Sequence, residues 1–405
     1  MPSNRTVLVA NPSADIYGAD LQMVESAAAL VARGWRVVVV VPALGPLQAR
    51  LSEHGVQTVM LPGPVLRRAD LSPRGTAVLA SSLPGSLARM RRLVREIAPD
   101  LLYVNTITVP WWLLVARRCG VPSVCHVHEA EAADPRWLRR ALAAPLFLAD
   151  RVIVNSRSTD AVICGAAPGL AARRRLVHNG VRGPDVRPRP RTPDGTFRLI
   201  VVGRLSPRKA PDVALEALAL VRRSGRDAEL ELCGTPGAGH EGFAARLRWR
   251  ALQSDLRGRV RLSGYVSPVW PALARADALV APSLGESFGN AVVEAQLARR
   301  PVIATSVQGH QETVRDGSSG LLVPPQDPQA LAARITDLMD DPALARDLAD
   351  GGLRRARAHF GMARYGDEIA QVLDELVPSP VVEDVARPPA VEEVAQQPSR
   401  DPAGI

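Results

Sequence analysis

The sequence predicts an α/β protein built from two doubly wound parallel-sheet domains, and three observations carry that expectation. Short runs of Val, Leu and Ile alternate with amphipathic helical stretches from Thr6 to His178. The alternation stops once, in the proline-rich and arginine-rich RGPDVRPRPRTPDGT, and then restarts. A chain of 405 residues also exceeds one ordinary core, since about 150 residues per domain gives two or three units.

The strand candidates of the first half are TVLVA, WRVVVVVP, QTVMLP, DLLYVN, PSVCHVH, DRVIVN and RRLVHN, with a helix expected from about Ala19 to Ala32. Continuous apolar runs mark strands buried on both faces, as in a parallel sheet covered by helices. Residues 182–196 hold four prolines and four arginines and read as a linker. FRLIVVG, AELELCG, RVRLSG, DALVAP, RPVIAT and SGLLVP are the strands of a second Rossmann-like unit, with a helix expected from about Pro207 to Arg223. The expected domains are 1–181 and 197–357, followed by a helix over 358–376 packing back on the first domain. Residues 377–405 carry six prolines, five acids and two arginines, and are expected to be disordered.

Composition excludes several classes. No run approaches the roughly 18 apolar residues of a membrane span, and the first residues lack the apolar core of a secretory signal, so a cytoplasmic enzyme is expected. Cys119, Cys125, Cys164 and Cys233 show no metal-ligand spacing and read as small buried thiols. The net charge is +9, but the basic residues are scattered and aromatics make up only 4%, so no nucleic-acid partner is expected. Lys209 is the only lysine beside 49 arginines, which marks a place where an ammonium is wanted.

The second domain opens with a strand and then Gly203-Arg204-Leu205-Ser206-Pro207-Arg208-Lys209. Gly203 permits a tight turn, Ser206 suits a helix cap and Pro207 a first helical position. A helix N-terminus flanked by Arg204 and Lys209 would hold a diphosphate. Glu286 and Glu294 bracket Ser287, Phe288, Gly289 and Asn290, where a helix should begin near Phe288 to Gly289. Eight residues of helix reach at most about 12 Å, too far for one acid/base pair, so the two carboxylates would hold separate hydroxyl sets of an extended ligand such as a nucleotide-sugar.

These residues resemble the signature of glycosyltransferase family four: E-x7-E at Glu286 and Glu294 with Phe288-Gly289 between, VGRLSPRKAPD as a phosphate-binding segment, HNGV (His178 to Val181) as the interdomain exit, and the Gly-x-x-Glu region from Gly309 to Asp327. The resemblance implies a GT-B fold, two Rossmann-like domains facing across a cleft. It also implies a retaining transferase that moves a sugar from a nucleotide-diphosphate-sugar to a hydroxyl acceptor without metal or cofactor. Arg204 and Lys209 would bind the diphosphate, Glu286 the donor-sugar hydroxyls with the backbone of Phe288 and Gly289, Glu294 the ribose, and the loop at Gly264-Tyr265 would lie against the base. His128 would face the donor sugar from the first domain, with Glu129 where the family commonly has aspartate. Gly18, after Tyr17 where two glycines are usual, would let the donor approach.

Asn105 and Thr106 end a strand and are read either as acceptor contacts or as a polar strand cap. His126 is read as support for His128, with metal ligation as the rival for this pair, and Trp111-Trp112 as core packing. The stretch Leu87 to Ile97, apolar on one face with Arg89, Arg92 and Arg95 elsewhere, suggests either a solvated face or peripheral binding to anionic lipid. The rival functions are another GT-B activity, such as a nucleotide-sugar epimerase or a glycan phosphorylase, and a non-catalytic sugar-nucleotide-binding subunit.

Overall fold

The computed structural model describes residues 5–16, 18–66, 73–128, 134–186, 189, 195–237 and 239–378. In the first domain the strands are β1 (Thr6–Ala10), β2 (Arg36–Val41), β3 (Gln57–Met60), β4 (Leu101–Asn105), β5 (Ser123–Val127), β6 (Arg151–Val154) and β7 (Arg174–Leu176). Its helices are α1 (Gly18–Val31), α2 (Pro46–Ser52), α3 (Pro73–Ile97), α4 (Trp111–Cys119), α5 (Arg136–Ala143) and α6 (Arg157–Ala166). The second domain holds β8 (Phe197–Val202), β9 (Ala228–Cys233), β10 (Val260–Gly264), β11 (Ala278–Ala281), β12 (Val302–Thr305) and β13 (Leu321–Val323). They are joined by α7 (Pro211–Arg223), α8 (Glu241–Ala251), α9 (Trp270–Arg275), α10 (Asn290–Leu297), α11 (Gln308–Thr313) and α12 (Pro328–Asp340), and α13 (Pro342–His359) and α14 (Met362–Asp374) complete the chain.

Every strand expected from the apolar runs is present. The seven-stranded sheet runs β3-β2-β1-β4-β5-β6-β7 and the six-stranded sheet β10-β9-β8-β11-β12-β13, with all described neighbours parallel. In each sheet the chain order reverses at the first strand, β1 or β8, and that reversal opens a crevice at the C-terminal strand ends where such sheets bind ligands. Val37 to Val41 are all buried, as a strand covered on both faces requires.

Two elements stitch the domains together. Val181, Phe288, Val293, Leu297, Ala356 and Phe360 form one buried cluster, and the Val181 N–H donates to Phe360 O at 2.8 Å. The Glu312 carboxylate accepts the N–H groups of Arg157 and Ser158, each at 2.9 Å, and lies 2.9 Å from His178 Nε2. A second-domain carboxylate therefore caps the first-domain helix α6, where the helix dipole favours negative charge. The bonds from His178, Arg157 and Ser158 hold Glu312 below its usual carboxylate range against the opposing effect of burial.

Helix α14 returns to the first domain, where Tyr365, Ile369, Val372 and Leu373 join the core formed by Val7, Met23, Leu30 and Tyr103. Three sequence expectations are corrected. Cys164 is exposed, because the neighbouring Ile163 takes the buried side of α6 and the next residue lies about 100° round the helix. The apolar face of α3 is not available to a lipid surface: Met90 and Val94 are buried, and Leu87, Leu93 and Ile97 pack against the same core. The third concerns the start of α7 and belongs to the site.

Candidate active site

The donor side is built from the ends of β8 and β9. Gly203 (φ 148) and Gly234 (φ 158) let these ends approach so closely that a Cβ on Gly234 would lie 1.8 Å from Gly203 O. The Gly203 N–H donates to Cys233 O at 2.9 Å and the Leu205 N–H to Thr235 O at 3.0 Å. The chain then turns: the Lys209 N–H donates to Ser206 O at 3.0 Å, Ala210 takes the left-handed conformation (φ 47), and α7 starts at Pro211. The expected helix start at Pro207 is therefore wrong, and Ser206 caps nothing. The proline that suits a first helical position is Pro211, and the left-handed Ala210 separates the turn from the helix. What the turn presents is the Lys209 side chain, laid over Gly203 with its Cε 3.5 Å from where a Cβ would be. Arg204 is exposed beside it.

Lys209 reaches Glu286, and the two form an ion pair at the mouth of α10. Glu286 is buried, which disfavours its charge. The neighbouring Lys209 and Arg208 overcome that and hold it down to about 2. Gly289 (φ 102) precedes α10, and a side chain there would press on His310. His310 is buried and kept neutral, lowered to about 4 by burial, and its Nδ1–H donates to Thr305 O at 3.2 Å. A small pocket here is lined by Lys209, Ser283, Glu286, Gly289, Ala291 and His310.

Glu294 lies one helical stretch further along α10, and burial pushes it up to about 7 against the pull of Lys209. Phe288 turns its side chain away, its ring 5.3 Å from Phe360 and 5.9 Å from His178, so it offers a ligand only backbone. Asn290 spends Oδ1 on Asn179 Nδ2 at 3.0 Å, tying the helix to the hinge, and the Ser287 carbonyl accepts from Ser158 Oγ at 3.4 Å. Tyr265, just past Gly264 (φ 69), is half exposed at the end of β10.

Across the cleft, β1, β4 and β5 deliver a buried polar chain. Asp20 can only accept, so Asn11 Nδ2 donates to it at 2.9 Å. That orients Asn11 Oδ1 to accept from Asn105 Nδ2 at 2.7 Å, and Asn105 Oδ1 in turn accepts from His128 Nε2–H at 2.8 Å. The order of donors fixes the His128 tautomer. Burial lowers its pKa to about 3, so the ring is neutral. His126 stacks on His128 with centroids 4.0 Å apart and bonds Tyr103 through Nδ1 at 2.6 Å. The bonded nitrogens of the two histidines thus serve different partners, and among the described residues no three His, Cys, Asp or Glu side chains are grouped to hold a metal.

Asn105 is fully buried, so it does not face the cleft as an acceptor contact would. Thr106 is also buried, held at φ 129, and its Oγ1 accepts the Thr108 N–H at 2.9 Å. Both match the strand-cap reading. The space over Gly18 is open, with nothing within 4 Å of where its Cβ would stand. Glu129 and Tyr17 lie outside the described residues. Trp112 is buried in the core and Trp111 packs against it.

Sequence reasoning did not find the functional neighbours Asn11, Asp20 and His310. The signal for the first two was in plain view, two polar side chains at the end of one strand and the start of the next helix.

Two doubly wound domains, with a lysine-glutamate pair at one side of the crevice and an oriented histidine at the other, define a GT-B nucleotide-sugar glycosyltransferase. Residues 16–182 match the family described as Glycosyltransferase Family 4, and residues 196–341 the one described as Glycosyl transferases group 1. The chain is 30% identical over 353 residues to D-inositol 3-phosphate glycosyltransferase of Thermobispora bispora, spanning 78% of this chain and 81% of that one. It is 29% identical over 304 residues to glycogen synthase of Mycobacterium tuberculosis, 69% of each. Its fold matches that of HepE from Anabaena, solved with UDP and glucose, at a TM-score of 0.77 and 22% identity, covering 91% of this chain and 99% of that one. The chain belongs to glycosyltransferase family four.

Proposed function

We propose that the enzyme retains anomeric configuration, needs no metal, and transfers its sugar to a hydroxyl acceptor. The observation that carries this reading is the Lys209–Glu286 pair in one pocket beside Glu294. Lys209 and Arg204 supply positive charge for a diphosphate leaving group, the role a metal would otherwise take. Glu286 and the backbone at Phe288 and Gly289 hold the donor sugar. Glu294 takes the ribose hydroxyls, Gly264 and Tyr265 border the base, and Gly18 and His128 close the donor from the other domain. A donor phosphate oxygen then takes the acceptor proton on the same face, so no protein nucleophile is called for.

Incubating the protein with EDTA and a panel of uridine, guanosine, thymidine and adenosine diphosphate sugars tests this. Uridine donors come first, because HepE, which shares the fold, was solved with UDP-glucose. Thermal stabilisation and slow release of sugar by one donor are expected. Turnover only after metal is restored, or an inverted product, would overturn the reading.

Glu294 gives the reading a pH signature. With a pKa of about 7 it ionises between pH 6 and 8, and the ionised form is the better acceptor for ribose hydroxyls. Donor affinity measured by calorimetry should rise about tenfold over that interval and level off above it. Glu294→Gln should flatten the profile.

Asn105 is expected to act through His128. Asn105→Ala removes the acceptor that fixes the ring, costing about 1–2 kcal/mol and roughly tenfold in kcat. Donor KM should change little, since His128 itself remains.

With the apolar face of α3 buried, we propose α5 and the segment after it as a surface for peripheral membrane contact. Trp137 and Phe147 are 66% and 47% exposed, and Arg136 and Arg140 are exposed beside them. An aromatic and cationic surface of this kind suits an anionic bilayer, and α5 follows β5, past whose end His128 lies, in the first domain. The protein should sediment with phosphatidylglycerol vesicles at low salt, and Trp137→Ala with Phe147→Ala should release it. No sedimentation of the native chain would dismiss the contact.

A further inference from the structure

Glu286 is held in place from three sides. Its N–H donates to Gln308 Oε1 at 2.9 Å, its carbonyl accepts the Gly309 N–H at 2.9 Å, and the carbonyl of Gly285 accepts from Arg208 at 2.7 Å. These bonds fix the backbone from which its short, buried side chain projects. Lys209, by contrast, ends a flexible stem lying along Gly203, its Cε 3.5 Å from where a Cβ would stand. One partner of the ion pair rides on a long stem and the other on a short side chain from a tethered, buried backbone.

We propose that this asymmetry makes the site discriminate a sugar-loaded nucleotide from the sugar-free nucleotide that remains after transfer. A diphosphate draws Lys209 away from Glu286 in either case. A donor sugar replaces the lost ammonium with hydroxyls that donate to the stranded carboxylate. A sugar-free nucleotide offers none, and a buried charge stripped of its partner is heavily penalised. Glu286 thus weakens product binding as well as holding substrate, and the spent nucleotide is expelled by the group it uncovers. This inference rests on the donor-site reading above.

Calorimetric titration of the native protein and Glu286→Gln with UDP, GDP, TDP and ADP, and with their glucose conjugates, tests it. Glutamine keeps the shape and removes the charge. The variant should bind the sugar-free nucleotide at least about tenfold more tightly than the native protein, and the glucose conjugate no more tightly. If the native protein binds a nucleotide and the variant binds it equally or more weakly, the inference fails and the donor site stands. If the native protein binds none of the eight compounds, the donor site falls and the inference with it.

A second readout needs no variant. Because Lys209 is the only lysine, protein labelled with nitrogen-15 lysine shows one side-chain ammonium signal. That signal should move when the sugar-free nucleotide binds, and a bound nucleotide that leaves it unmoved would also overturn the proposal.

Discussion

Lys209→Met lowers kcat/KM for the donor by about 10²–10³, the loss seen when one charge-stabilising group is taken from a reacting centre. Methionine keeps most of the stem that lies along Gly203 and deletes the ammonium. Two effects then add. The leaving diphosphate loses its nearest cation, and Glu286 keeps a buried charge with Arg208 as the remaining cation beside it. Steady-state rates and a thermal melt separate them, the first reporting the leaving group and the second the stranded carboxylate. Lys209→Arg should recover only part of the rate, because a planar guanidinium is bulkier than the point charge this turn is shaped for. A Met variant with rates within threefold of the native enzyme would show that Lys209 does not touch the reacting diphosphate.

Gly234→Ala is the most damaging small change expected in the second domain. The new Cβ would stand 1.8 Å from Gly203 O and 2.8 Å from Gly203 C, both backbone atoms that no rotamer change can move, at φ 158. Strain and overpacking each cost about 1–3 kcal/mol, a sizeable share of the 5–15 kcal/mol that holds a typical domain together. The melting temperature should fall by several degrees, and the donor response should go with it, since Gly203 is the bed on which Lys209 lies. Gly258→Ala is the control. It also has positive φ (76), but its Cβ would meet nothing within 4 Å, so it should cost only about 1 kcal/mol and leave donor binding intact. Equal losses from the two variants would show that conformation, not the strand crossing, sets the requirement.

The sheets were legible because a parallel strand covered on both faces must be a continuous apolar run, and Val37 to Val41 or Leu199 to Val202 can be little else. Lys209, Glu286 and Glu294 were legible because their chemistry is local: a turn, a helix mouth and a helix face within short stretches. What was not legible depended on distance or on conformations with no residue marker. Nothing in an alanine announces the left-handed turn at Ala210 that delays α7 to Pro211. Nothing near Glu312 says that it caps a helix 155 residues earlier. Asn105 could be read as an acceptor contact or as a polar strand cap, and only the approach of Asn11 and His128 from the ends of neighbouring strands makes it a buried link. The apolar stripe of α3 was read correctly as a stripe, but periodicity does not say which surface it covers.

The return of α14 to the first domain has a consequence for how the molecule comes into being. Tyr365, Ile369, Val372 and Leu373 fill the face of the first sheet that α1 leaves uncovered, and the Tyr365 hydroxyl lies 2.5 Å from Ser26 Oγ. During synthesis the ribosome delivers the whole of that sheet long before it delivers this wall. The early half must wait with an apolar flank exposed while the second domain emerges and folds, and the last helix made closes the first domain. The two halves are separate in architecture but share one moment of completion, so a break in the linker would leave the first with its flank open and the second bearing a helix with no seat.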